Sequence, residues 1–555
     1  MDYKQQLTCL RSFYQDLYAP SDEPKLHSDS APMLQLSPEE AQQRLASLPV
    51  GKAVPPQFAP TAAFRACSDV LAGWLSEKIQ HLPDVPEEWA ECWLALLPKV
   101  TCPTLPKQLR PIGLTEPTGR AYAGALQDRL RPYAMAYIGA WPQLAYVPNR
   151  STGDALRRVL RHCDSVRSSQ KRRRYDIQQA RWHSVSASSG TSAKIGGIQA
   201  IQASFDLTQA FDRLGWTLVH EALIDAQVPV ELRGQLLDFY RHLGYHLRFG
   251  DEHAVVRASR GVKQGCKVAP LLWSLTTGLL MRRLARRTSQ AWLLRVLTAF
   301  ADDLHLGQEV RSLEMLTLAV LRIGHLIEVL EEARMIINTD KSVILISLPF
   351  SFDTKWRRRN LCRVGDTVRL QLRTPSGRGY KLPVVSQHKY LGAIITYEGD
   401  CAEHTVAYRL QQTWAAWSRL RPALTSASAP ALPIRLRLWK ACIPPIALYA
   451  LDCLPLHRRL LTQVQHALTR QLRAVARSQA HLTHESTDSL HHRLGVPLVQ
   501  HTLLQTAVKQ LERMQHLPAE ARFLDCTDTS GANAAPTRSD LQERQPALPA
   551  GVALH

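Results

Sequence analysis

Across its 555 residues the chain has no apolar run long enough to span a bilayer, because Arg or Lys interrupts each candidate. Its start, Met1-Asp2-Tyr3-Lys4-Gln5-Gln6, has no signal-peptide core, so secretion is not expected. The 11 cysteines are an odd number and are scattered, and none sits in a CxxC pair, which excludes a zinc knuckle or finger of that pattern and a disulfide framework. No internal repeat is present, so a solenoid is excluded. These absences lead to the expectation of an intracellular, nuclear or cytoplasmic protein with no membrane partner.

What is present is a globular composition, 45% hydrophobic, with enough length for about three or four structural units. Lys and Arg total 68 against 48 Asp and Glu, a net charge of +20, and this excess favours a polyanionic partner, nucleic acid before membrane. Residues 1–65 read as a partly disordered N-terminal extension, rich in Pro, Ser and Ala from residue 19, with one short helix from about Ser37. Residues 163–199 carry Lys171-Arg172-Arg173-Arg174 and then little apolar content, which predicts a solvated basic insertion. Residues 526–555 read as a disordered tail.

The segment Phe300-Ala301-Asp302-Asp303 stands between apolar runs, a pattern that predicts a β-hairpin with the acidic pair at its tip. Adjacent carboxylates repel, and a divalent cation is their natural partner. A second acidic strand ends at Phe205-Asp206, and between the two lies the turn Arg260-Gly261-Val262-Lys263-Gln264-Gly265-Cys266. An acidic strand, a Gln-Gly turn opening a helix and an acidic hairpin, in that order, form the skeleton of a polymerase palm. Asp206 and Asp302 are the candidate bridging ligands for two Mg²⁺ ions roughly 4 Å apart, with Mn²⁺ as an alternative, and Asp303 is expected to lend weaker support.

Other residues take candidate roles from position. Phe211 either forms a floor under an incoming sugar or packs in the core, and Asp212 is expected to cap a following helix. Gln264 and Gly265 would offer an amide and a close backbone approach beside the nucleotide, with Lys263 or Lys267 on phosphate. Lys99 and Arg110 are candidates for the triphosphate.

The ordered blocks resemble reverse transcriptases of non-LTR (LINE-type) retrotransposons. Pro98-Lys99 and Arg110-Pro111-Ile112 are similar to that family's fingers motifs, and Gln143 to Ala155 to its Q-x-G-F-x-x-x-R-S-T-x-D-A segment, with Ala145 where the family has Gly. The palm motifs correspond to the blocks holding Asp206, Gln264-Gly265, Asp302-Asp303 and Asn338/Lys341, and the primer grip to Tyr390-Leu391-Gly392. The resemblance implies an α+β right-hand polymerase: fingers over 66–200, palm over 201–400 and a helical thumb over 401–525. It further implies an RNA template, a DNA primer or target and dNTPs. No endonuclease segment is expected before the palm, since residues 1–80 are too short to fold one. Two alternatives stay open: a group II intron-type maturase, and a non-catalytic nucleic-acid-binding remnant.

Overall fold

The computed structural model describes residues 3–24, 32–184, 199–348 and 354–515. The expected tail lies outside the described residues, as does the 185–198 part of the expected insertion.

A four-stranded antiparallel sheet organises the middle of the chain, in the order Leu297–Phe300, Asp303–Val310, Gln199–Phe205, Val343–Ser347. The strand Gln199–Phe205 is buried at every position and sits inside the sheet, taking Gln199 and Gln202 with it. Helices Ala269–Arg287 and Leu313–Glu332 cover it; each presents apolar residues three and four apart to the core. This is the palm.

A second sheet has the order Leu109–Leu114, Cys92–Pro98, Gly244–Phe249, Glu252–Arg257. Its first two strands form an antiparallel hairpin that holds Pro98 and Arg110, and its last two come from the stretch assigned by sequence to the palm. The chain therefore leaves the first sheet after Phe205 and adds two strands to the second before it reaches the Gln-Gly turn. A parallel pairing of Cys92–Trp93 with Tyr245–His246 joins the halves. Period-2 patterning identifies strands but not which distant strand they join.

The N-terminal stretch holds more structure than one short helix. Ser37 does cap Pro38–Ala46, its hydroxyl accepting from the Glu40 amide at 3.2 Å. In addition, helix Tyr3–Tyr18 buries Leu7, Leu10, Tyr14, Leu17 and Tyr18 along one face. Tyr18 stacks on Tyr245 of the fingers sheet, ring centroids 4.1 Å apart. Glu23 and Arg260 form a buried ion pair at 3.4 Å.

The span from residue 163 also differs from the expected solvated insertion. Helix Thr152–Ser184 runs through it, and its buried Leu156, Val159, Leu160, Cys163 and Val166 continue a helical period. Arg167 pairs with Asp400 at 3.1 Å and Gln170 donates to Ser347 at 2.6 Å. Lys171 and Arg172 are exposed.

Beyond the palm, a small antiparallel sheet of Leu361–Val364, Thr367–Arg373 and Gly379–Pro383 precedes the hairpin Gln387–Tyr390/Ala393–Thr396. The helices from Cys401–Thr425 onward, in the stretch expected to be a thumb, share a separate hydrophobic core with helix Thr152–Ser184. Helix Arg458–Ala476 buries Leu460, Val464, Leu468, Leu472 and Val475 and leaves Arg459 and Arg470 exposed. Among the described residues no helix is long and apolar enough to cross a membrane.

Candidate active site

The acidic hairpin forms, with its tip one residue earlier than the expected acidic pair. Phe300 pairs with Asp303, so Ala301 and Asp302 alone make the turn, and Ala301 takes the left-handed region at φ +55°. Phe205 pairs with Leu304 on the adjoining strand, which brings Asp206 to the same end of the sheet as Asp302 and Asp303. The Asp206 backbone is fixed from the Asn338–Ser342 loop: its amide donates to the Ser342 hydroxyl at 3.0 Å and its carbonyl accepts from the Asn338 amide at 2.9 Å.

The three carboxylates lie in one another's field. Burial, then the charges of Asp302 and Asp206, push Asp303 up to about 6. Burial and Asp206 likewise raise Asp302, while the Arg110 guanidinium lowers it. Among the described residues no group of three or more His, Cys, Asp and Glu side chains is placed to hold a metal ion by itself. Mg²⁺ does not require one, since it keeps water and is held by one or two carboxylates together with substrate phosphate. A set of oxygen ligands whose mutual repulsion is only partly offset by Arg110 fits a divalent cation.

Of the candidate cations, three gather. Partial burial lowers Lys99, and its surroundings include Asp212, Arg110 and Lys341. Lys99, Arg110 and Lys341 are all exposed, as a phosphate-binding group must be. Lys263 is a correction. It is fully buried, its ammonium donates to the carbonyls of Trp89 at 3.3 Å and Ala90 at 2.9 Å, and it lies 4.2 Å from the Phe239 ring centre. It joins fingers elements and is not open to phosphate. Lys267 is half-buried beside helix Pro117–Gly139.

Gln264 and Gly265 sit against the strand Leu109–Leu114. The Gln264 carbonyl accepts from Gly113 at 2.8 Å. Gly265, at φ +112°, approaches so closely that a Cβ would come within 3.0 Å of the Gly113 carbonyl oxygen. The Gln264 side chain donates to both oxygens of Asp212, at 3.0 Å each. Asp212 is a second correction: it caps no helix, because the chain turns from Thr208 to Arg213 and the next helix starts only at Trp216, with Gly215 at its cap. Asp212 is buried and also accepts from the Tyr18 hydroxyl at 2.9 Å.

Phe211 is half-buried, stacked on Trp273 at 4.8 Å and edge-on to Tyr146 at 6.4 Å. Tyr146, which the sequence reading did not single out, is partly exposed at φ +62°, and its hydroxyl is raised by burial and by the Asp302 charge. Tyr390 is buried under His305, ring centroids 4.9 Å apart, and its hydroxyl is raised by burial and by Asp303. Leu391 and Gly392, both at positive φ, make a two-residue turn beside it.

The sequence reading also missed Gln143. It is fully buried, its side-chain oxygen accepts from the amides of Ala301 at 3.1 Å and Ala145 at 3.0 Å, and its nitrogen donates to the Ala301 carbonyl and the Thr277 hydroxyl, both at 3.2 Å. Its place in the 143–155 block was the available signal.

Residues 97–395, more than half of the chain, match the family described as reverse transcriptase (RNA-dependent DNA polymerase). The retrovirus-related Pol polyprotein from type-1 retrotransposable element R2 of Nasonia vitripennis is 31% identical over 113 residues. That match covers 20% of this chain and 11% of the relative, so the chain spans only a small part of that relative's length. Among solved structures, apo telomerase from Candida tropicalis is similar at a TM-score of 0.39 and 10% identity, over 84% of this chain and 74% of that one. Telomerase from Candida albicans with the TWJ fragment of telomeric RNA is similar at a TM-score of 0.33 and 10% identity, over 85% and 69%.

Proposed function

The chain belongs to the reverse transcriptase (RNA-dependent DNA polymerase) family, and from that premise we propose that it copies RNA into DNA for a non-LTR retrotransposon-type element. The observation that carries the reading is the convergence of Asp206, Asp302 and Asp303 at one end of the palm sheet, with each raised carboxylate feeling its neighbours.

In this reading Asp206 and Asp302 hold two Mg²⁺ ions, replaceable by Mn²⁺, and Asp303 supports them from the side nearer Tyr390. Divalent ions bound there would activate a primer 3′-hydroxyl and offset charge on the departing pyrophosphate. Lys99, Arg110 and Lys341 grip the triphosphate of an incoming dNTP, since the three cations share one exposed neighbourhood. Phe211 lies beneath the sugar, braced by Trp273. Gln264 holds the Phe211–Asp212 turn through Asp212, and Gly265 lets the backbone come close to the fingers hairpin. The turn Tyr390-Leu391-Gly392 holds the primer end, and the thumb helices track the RNA–DNA duplex by its phosphates.

Primer extension on an RNA template with a DNA primer, dNTPs and Mg²⁺ tests the proposal. The parent chain extends the primer, and Asp302→Asn, which keeps the side-chain shape and removes the charge, binds template as the parent does and extends nothing. A parent that binds template and extends no primer defeats the reading, and an Asp302→Asn variant as active as the parent defeats the site assignment.

A further inference from the structure

We infer that Gln143 is the positioning residue of the acidic turn: its carboxamide holds Ala301 in a left-handed conformation and thereby aims Asp302. The inference rests on the polymerase reading of the site and concerns a residue that does not touch substrate.

The turn needs such a holder. A two-residue hairpin with positive φ at its first position is of the kind that favours glycine there, because a Cβ is strained in that region. This chain has alanine at that position, with φ +55°. Strain of this sort persists only where the surroundings over-determine the backbone. Gln143 does so by bonding both polar groups of one residue, accepting from the Ala301 amide and donating to its carbonyl. Neighbouring backbone bonds bring the two segments together: the Leu144 amide donates to the Ala299 carbonyl at 2.8 Å and the Ala299 amide to the Pro142 carbonyl at 3.0 Å.

The carboxamide is itself locked. Its two N–H groups and two acceptor positions are all used, on Ala301 twice, Ala145 and Thr277. Thr277 in turn donates to the Ser274 carbonyl at 2.9 Å, inside helix Ala269–Arg287. Arg150 fixes the backbone of Gln143 by donating to its carbonyl and to those of Trp141 at 2.8 Å and Gly139 at 2.6 Å. A buried amide with every bonding position filled and no access to solvent is suited to set backbone geometry rather than to meet a ligand. Asp302 follows Ala301 directly, so a rotation at Ala301 swings the Asp302 carboxylate away from Asp206.

The experiment compares parent, Gln143→Leu and Thr277→Val in single-nucleotide addition, template–primer binding and thermal melting with and without Mn²⁺. A misplaced reacting group loses rate rather than affinity, so Gln143→Leu should lower kcat by roughly tenfold to a hundredfold. Template–primer affinity should stay within about twofold of parent, since the phosphate contacts are untouched. The Mn²⁺ concentration that half-maximally raises the melting temperature, measured without nucleic acid, should increase severalfold. Thr277→Val leaves the turn intact and removes one partner of the carboxamide; it should fold and show a smaller loss in kcat with the same unchanged affinity. An active parent with parental kcat and Mn²⁺ midpoint in both variants overturns the inference while leaving the polymerase reading standing. An inactive parent removes that reading instead. If Gln143→Leu does not fold, Thr277→Val alone decides.

Discussion

The Gln264 side chain donates to both carboxylate oxygens of Asp212, and the Tyr18 hydroxyl donates to one of them. One buried carboxylate thus joins the N-terminal helix, the turn after Asp206 and the Gln-Gly turn. Gly261 makes this junction tight, since a Cβ there would fall 2.7 Å from the Asp212 carbonyl oxygen.

That junction should be visible in the pH dependence of stability. Burial raises Asp212 from 3.8 to about 6, against the lowering effect of its Tyr18 and Gln264 hydrogen bonds and of Lys99. A raised acid stabilises the fold fully below its unfolded value of 3.8, and that contribution is lost as pH rises through about 6. The amount is on the order of 2–3 kcal/mol across that window. Thermal melting of Asp212→Asn should show a flatter slope in that window than the parent; equal slopes would remove Asp212 as the titrating group.

Phe211→Val should relax sugar selection. A ring beneath the nucleotide clashes with a 2′-hydroxyl, and overpacking of this kind costs on the order of 1–3 kcal/mol. At about 1.4 kcal/mol per tenfold, that contact supplies roughly ten- to a hundredfold discrimination. The check is the ratio of incorporation efficiencies for matched dNTP and rNTP. A folded, active variant with an unchanged ratio would leave Phe211 as packing for Trp273 alone.

Deleting residues 165–196 should cost soluble protein, although composition predicts a dispensable insertion. The deletion removes buried Val166, the Arg167–Asp400 ion pair and the Gln170–Ser347 bond, which tie helix Thr152–Ser184 to the palm and thumb. Parental yield and melting temperature would show that these contacts contribute little.

Template binding should weaken as salt rises, and Arg459 and Arg470 should account for part of the slope. Both are exposed on helix Arg458–Ala476, whereas Arg473 and Arg477 donate to the carbonyls of Glu485 and Ser426 at 2.8 Å each. Replacing each of the first two by Gln should reduce the log–log salt slope by about 1. Titrations at several salt concentrations measure it, and an unchanged slope would place the duplex elsewhere.

Local pattern determined the parts of this protein whose partners are near in sequence. An acidic pair set between two apolar runs predicted the hairpin that carries Asp302 and Asp303. The helix from Ser37 was equally legible, because capping acts within a few residues. Tertiary structure alone decided the rest. Lys263 looks like a phosphate ligand until the fingers close over it, and Asp212 like a helix cap until Tyr18 and Gln264 reach it from 194 and 52 residues away. The hold of Gln143 on Ala301 crosses 158 residues. A side chain's role in such places is set by which groups the fold brings to it and by how much water the fold removes, and neither is written in the spacing of its sequence neighbours.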